Sequence, residues 1–133
     1  MGKKLRLKNV KALQDRAWGY WDNDDCRKQY WDTRAEFSVL YKGEKFYTVT
    51  PLPYYLYRRN FQIKRLLEWL TDKEGKLLDF GGGDCRLTIL IKKSLPGLDA
   101  ISCDISPKMV KLANQNIKYA GLQKIKSILI DLF

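Results

Sequence analysis

The sequence predicts an α/β fold in which three parallel strands alternate with helices. Three short apolar runs end near carboxylates, at Asp79, Asp104 and Asp131. Two amphipathic segments of helical periodicity separate these runs, and Gly or Pro residues bound them. Strands that alternate with helices in this manner form parallel sheets with helices packed over them. We therefore expect part of a doubly wound sheet, preceded by a helical N-terminal segment.

An apolar run meets three glycines within residues 76–88, where the first strand is expected to end. Residues 77–80 are apolar on both sides of Asp79, which indicates a strand buried on both faces. The glycines permit positive φ angles and the close approach of a ligand to the main chain; they are Gly81, Gly82 and Gly83. A helix is expected to begin near Asp84, with its first N–H groups directed at a bound molecule.

The second unit repeats the pattern and ends in Asp104, 25 residues after Asp79. In doubly wound nucleotide-binding folds, an acidic residue about 20 residues beyond the glycine turn binds the ribose hydroxyls. Ser106 and the proline after it are typical of a helix start, and Gly121 is expected to end that helix. Residues 125–132 are the expected third strand.

With these motifs, residues 76–133 resemble the first half of a class I S-adenosylmethionine-dependent methyltransferase. The first motif of that family reads apolar-apolar-Asp-apolar-Gly-x-Gly-x-Gly. Residues 77–85 match it at every position except the last, where Cys85 stands in place of the third glycine. Residues 103–109 resemble the second acidic loop of the family, and residues 130–132 resemble the third. The resemblance implies a Rossmann-like methyltransferase sheet.

The resemblance also implies the cofactor and the residues that bind it. S-adenosylmethionine is the implied cofactor, with Gly81 and Gly83 against its methionine part and Asp79 near its amino group. Asp104 is expected to hold the ribose hydroxyls, and Ile105 is expected to pack on the adenine. The complete implied set is Asp79, Gly81, Gly82, Gly83, Asp104, Ile105, Asp131 and Leu132, in which Asp131 accepts from the adenine amino group.

Two other interpretations of the glycine turn are open. A dinucleotide site needs Gly-x-Gly-x-x-Gly, but Arg86 occupies the sixth position. Such a site also places a pyrophosphate at the helix N-terminus, where Asp84 would repel it, so a neutral or cationic ligand fits better. The remaining alternative is a glycine turn that binds no ligand.

Residues 1–75 form an aromatic-rich segment, because 14 of the 17 aromatic residues lie between positions 18 and 69. Helices are expected over residues 5–20, 30–37 and 60–70, the last with Asn60 as its cap. Aromatic faces attract a sulfonium cation, so this segment is a candidate cofactor lid or acceptor side; the alternative is that the aromatics only cover a small sheet. The candidate contacts are Tyr30, Trp31, Arg34 and Tyr47.

Composition restricts the chemistry. The net charge of +10 suggests an anionic partner, but the excess is spread along the chain apart from a dense run in residues 1–11. The chain has no histidine, which removes the commonest general base and metal ligand. Three scattered cysteines do not indicate a zinc site or a disulfide framework, and we expect Cys85 and Cys103 to be buried thiols beside the sheet. We expect a cytoplasmic protein without a metal or a membrane span.

The segment that follows the third strand in the resembling family bears on activity. Members of the resembling family have seven strands, and the segment after the third carries much of the acceptor site. The sequence ends at Phe133, so we expect a truncated chain that lacks the usual acceptor and catalytic region of that family. No catalytic residue is assigned. The expected acceptor is a small molecule; the alternatives are RNA or a non-catalytic fragment that binds the cofactor or oligomerises. The first strand would have an open edge, which predicts a homo-oligomer or a partner chain.

Overall fold

The computed structural model describes residues 24–36, 39–40, 47–48, 52–70 and 73–130. The helix expected over residues 5–20 lies outside these ranges. The elements, in chain order, are α1 (Asp24–Glu36), β1 (Val39–Leu40), β2 (Tyr47–Thr48), α2 (Leu52–Trp69), β3 (Gly75–Phe80), α3 (Arg86–Ser94), β4 (Leu98–Asp104), α4 (Pro107–Ala120) and β5 (Ile125–Leu129). The strands β1 and β2 form an antiparallel pair. This architecture confirms the predicted α/β fold with three parallel strands.

The parallel sheet has the order β3-β4-β5. Each strand pairs with the next one along the chain, for example Leu78 with Ile101 and Ala100 with Ile125. Crossovers between parallel strands are right-handed, and here both crossovers step in the same direction across the sheet. The helices α3 and α4 therefore pack on the same face, where Cys85, Ile89, Ala113 and Ile117 form the buried core.

The opposite face of the sheet lacks a helix among the described elements. Leu78 is 64% exposed and Phe80 is 62% exposed. Ile101 and Ile128, on the same face, are 37% and 38% exposed. The prediction that the first strand is buried on both faces is therefore wrong for the described residues, because both connecting helices lie on one side of it.

The ends of α4 follow the sequence signals. The side chain of Ser106 accepts a hydrogen bond from the N–H of Met109, and Pro107 is the first helical residue. Gly121 ends the helix with φ 65°, a left-handed conformation that glycine adopts without a steric penalty. The predictions for Ser106 and Gly121 are confirmed.

Three helix starts differ from the predictions. α1 begins at Asp24, six residues before the start of the helix expected over residues 30–37. α2 begins at Leu52 rather than at Asn60, so the prediction that Asn60 caps this helix is wrong. Pro53 does not prevent the earlier start, because the first turn of a helix has N–H groups without intrahelical partners and tolerates proline. α3 begins at Arg86, two residues after the expected start. None of the described helices is both long enough and apolar enough to cross a membrane.

Candidate functional site

A cavity of about 280 Å³ lies at the carboxyl ends of β3, β4 and β5. Its lining residues come from both parts of the chain and are Trp31, Phe80, Gly81, Gly83, Asp104, Ile105 and Ile130. Ligands of open α/β sheets bind at the carboxyl ends of the strands. The cavity combines apolar side chains, exposed glycine backbone and one carboxylate, which suits an organic ligand with hydroxyl groups.

The three glycines are needed for two different reasons. Gly81 and Gly83 have φ angles of 74° and 55°, whereas a Cβ on either would meet no atom within 4 Å. Their backbone angles, and not the available space, favour glycine. At Gly82 a Cβ would lie 2.0 Å from Ser102 Oγ and 2.8 Å from Asp79 Oδ2. The N–H groups of Gly81 and Gly82 donate to the carbonyl of Cys103 at 2.8 and 3.1 Å, which fixes the turn against β4.

Cys85 occupies the position where the resembling family motif has its third glycine. Its φ is 62°, in the left-handed region that non-glycine residues rarely adopt. Burial raises the pKa of its thiol to about 12, and the nearby hydroxyls of Ser102 and Thr88 lower it only in part. A thiol with this pKa is neutral at physiological pH and is not a nucleophile. Cys85 and Cys103 are both buried thiols, as predicted.

Asp104 connects the second strand to the glycine turn. Its carboxylate accepts hydrogen bonds from the N–H of Gly83 at 3.0 Å and from the N–H of Ser106 at 2.9 Å. Only 8% of the residue is exposed. Burial raises the pKa of the carboxyl group above its ordinary 3.8, although backbone hydrogen bonds favour the charged form. A buried carboxylate held in this manner is oriented to accept further hydrogen bonds from a ligand.

The structure brings half of the eight predicted cofactor residues to the cavity wall: Gly81, Gly83, Asp104 and Ile105. Gly82 and Asp79 do not line the cavity. The carboxylate of Asp79 accepts a hydrogen bond from the hydroxyl of Thr88 in α3. Asp131 and Leu132 lie outside the described residues. Sequence reasoning missed Phe80 and Ile130, although each immediately precedes a predicted residue at a strand end.

Of the four candidate lid or acceptor contacts, Trp31 lines the cavity. Tyr30 is buried behind it, with ring centroids 4.9 Å apart and an edge-to-face angle of 68°. The guanidinium carbon of Arg34 lies 5.9 Å from the ring centroid of Tyr30. These two residues therefore support Trp31 and do not line the cavity themselves. Tyr47 lies in β2, and its side chain is outside the described set.

No protein-family model and no curated protein matches the sequence. Among solved structures, the chain is similar to a mutant of MtNAS in complex with S-adenosylmethionine, at 18% identity over 97% of this chain and 43% of that chain, with a TM-score of 0.52. It is also similar to a protein from Methanococcus maripaludis described as an S-adenosylmethionine-dependent methyltransferase, at 21% identity over 59% of this chain and 36% of that chain, with a TM-score of 0.53. The chain has the class I S-adenosylmethionine-dependent methyltransferase fold.

The chain is also similar to the structure of an RNA methyltransferase from Salinibacter ruber in complex with S-adenosylhomocysteine. It is 31% identical over 63% of this chain and 50% of that chain, with a TM-score of 0.49. The chain thus spans half or less of the length of each of these three proteins.

Proposed function

We propose that this chain is the cofactor-binding part of an S-adenosylmethionine-dependent methyltransferase. The observation that carries the proposal is Asp104, a buried carboxylate bonded to the glycine turn at the wall of a cavity between the carboxyl ends of the strands. Residues 76–133 are the proposed cofactor-binding half, and residues 1–75 are the proposed lid or acceptor side. The volume of the cavity, about 280 Å³, is close to the lower limit of the range for ligand sites, which is about 300–1,000 Å³.

The residues present fit the cofactor. When bound, S-adenosylmethionine supplies a methyl group on a positively charged sulfur. Trp31 offers an aromatic face that attracts a cation, and the backbone of Gly81 and Gly83 has open space above it. Asp104 accepts hydrogen bonds from ribose hydroxyls in this proposal. The contribution of these residues to methyl transfer is to hold the donor in a fixed orientation toward the acceptor.

Calorimetric titration with S-adenosylmethionine and S-adenosylhomocysteine tests the proposal. We expect saturable binding by the wild type and a loss of about 10-fold to 100-fold in affinity for Asp104→Ala, since hydrogen bonds to a charged group contribute about 1.5–3 kcal/mol. Asp99→Ala is the matched control, because Asp99 is an exposed carboxylate on the same strand. Absence of binding by the folded wild type would refute the proposal.

We propose a small molecule as the methyl acceptor, because the aromatic residue Trp31 at the cavity wall suits a compact organic substrate better than a polymer. RNA is a second candidate, and a feature of α2 favours it. This helix exposes Tyr57, Phe61 and Trp69 to 77%, 57% and 75% beside the exposed Arg58 and Lys64. Aromatic and basic side chains together bind single strands by stacking and charge.

Salt dependence separates the two acceptors. If RNA is the acceptor, binding of a single-stranded oligonucleotide weakens steeply with rising salt, because each neutralised phosphate releases counterions. Tyr57→Ala and Trp69→Ala then weaken this binding without changing the affinity for S-adenosylhomocysteine. If the acceptor is a small molecule, the oligonucleotide binds weakly at 150 mM salt, roughly the physiological ionic strength. Methyl transfer to a small nucleophile is then observed.

The partner proposal rests on the sheet. β3 has no partner on its outer edge among the described strands, and the apolar side chains of Leu78 and Ile101 are exposed on the face without helices. Unpaired edges favour association with another strand. We propose that a second copy of the chain covers the outer edge of β3 and the exposed face beside it. A sedimentation experiment that shows only a monomer would refute this proposal.

A further inference from the structure

Asp32, in α1, bonds to the start of α4, more than 70 positions further along the chain. Its Oδ1 atom accepts a hydrogen bond from the hydroxyl of Ser106 and another from the N–H of Lys108 at 3.2 Å. The first N–H groups of a helix have no partner within the helix, and a negative charge is favourable beside them. Asp32 thus completes the cap that Ser106 begins.

Ser106 also bonds to the candidate cofactor site. Its N–H donates to Asp104 Oδ1 at 2.9 Å, while Asp104 Oδ2 accepts from the N–H of Gly83 at 3.0 Å. Ser106 is completely buried. A continuous series of hydrogen bonds therefore runs from α1 through Ser106 and Asp104 to the glycine turn.

The residue directly before Asp32 lines the cavity. Trp31 is 40% exposed, and Asp32, which follows it in the chain, is the first member of this series of hydrogen bonds. Further contacts between the two helices include an apolar cluster with Ala35 and Met109, and the exposed ion pair of Glu36 with Lys108. Exposed ion pairs contribute little. Asp32 is thus a partly buried polar link between α1 and the start of α4.

We infer that Asp32 is a positioning residue for the cofactor: its bond to Ser106 holds Trp31 against the same cavity that Asp104 lines. The inference rests on the proposed function for the identity of the ligand. Through Ser106, this bond joins α1 to Asp104, the proposed ribose-binding carboxylate. A change that loosens α1 therefore weakens cofactor binding, although Asp32 itself does not line the cavity.

The first experiment measures S-adenosylhomocysteine affinity by calorimetry. We expect Asp32→Ala to lose roughly tenfold, the size of one charge-assisted hydrogen bond, and Asp32→Asn, which keeps an acceptor oxygen, to recover most of that loss. Asp25→Ala is the control, because Asp25 is an exposed carboxylate on the same helix. Ser106→Gly removes the hydroxyl but keeps a residue accepted at helix N-caps, so it tests the same bond if Asp32→Ala does not fold.

The second experiment does not need the ligand. In a full chain with Trp18, Trp21 and Trp69 changed to Phe, acrylamide quenching reports the exposure of Trp31 alone. We expect Asp32→Ala and Ser106→Gly to raise the quenching constant and Asp25→Ala to leave it unchanged. Unchanged quenching in both variants overturns the inference. Raised quenching in a wild-type background that does not bind S-adenosylhomocysteine supports the positioning role and refutes the proposed function instead.

Discussion

The two faces of the parallel sheet are similarly apolar in sequence but differ in burial. On the face covered by α3 and α4, the strand residues Leu98 and Ala100 are 5% and 3% exposed. Ile89 of α3 and Ala113 of α4 are fully buried in the core on that face. On the other face, Leu78 and Phe80 are more than 60% exposed. Apolar pattern alone indicates that a strand can be buried on both faces; it does not say what covers each face. The direction of the two crossovers decided that here, since right-handed connections that step the same way place their helices together.

The largest expected difference between the two faces is in stability. Ile89→Ala should lower the free energy of unfolding by about 2–5 kcal/mol, because it removes buried apolar surface and leaves a cavity. Leu78→Ala should lower it by less than about 1 kcal/mol, because Leu78 already contacts water. Urea denaturation measures both. An equal loss for the two variants would mean that the open face is covered in solution.

A second test concerns the glycine turn, which packs on the covered face. Gly82→Ala should cost about 1–3 kcal/mol of stability through overpacking, since its Cβ would lie 2.0 Å from Ser102 Oγ. The double variant with Ser102→Ala, which removes that oxygen, should regain part of the loss. Thermal denaturation of the two single variants and the double variant checks this; additive losses would contradict the predicted contact.

A third test uses the buried thiol of Cys85 on the covered face. Its pKa in the folded chain is about 12, against an ordinary value of 9.0. Below pH 9 the thiol is neutral in both states and its full contribution is present; as the pH rises from 9 toward 12 only the unfolded state loses its proton, so stability declines. At pH 10 the loss should be about 1 kcal/mol relative to pH 8.

Urea denaturation of the wild type and of Cys85→Ala, at both pH values and under reducing conditions, measures this loss. The variant lacks the thiol and should lose less stability between the two pH values than the wild type does. Identical pH dependence of the two proteins would show that the thiol is accessible to water in the folded chain.

The smallest expected effect is on the open face. Leu78→Gln should change the free energy of unfolding by less than about 0.5 kcal/mol, as exposed substitutions generally do. If a second copy covers this face, the same substitution should shift a dimer toward the monomer in sedimentation. Lys76→Gln, an exposed change on the same strand and face, is the control for altered charge. If a stable dimer forms and Leu78→Gln does not weaken it, the dimer interface lies on another surface of the chain.

Signals that act over a few residues were sufficient for much of the molecule. The run of glycines predicted the turn after the first strand, and Ser106 and Gly121 predicted the two ends of α4. These signals depend on backbone angles and local hydrogen bonds, which neighbouring residues determine. The start of α2 was missed because proline in a first helical turn looks like a stop in the sequence.

The sequence by itself determined the strand-helix alternation, the glycine turn and the carboxylate that ends the second strand. Only the tertiary structure decided which sheet face is covered, that Trp31 reaches the cavity, and that Asp32 bonds to Ser106. The physical reason is the distance along the chain: local propensity and capping act within a turn or two, whereas these contacts join separate elements, and the bond of Asp32 to Ser106 joins residues 74 positions apart. Such contacts exist only once the crossovers have set the helices in place.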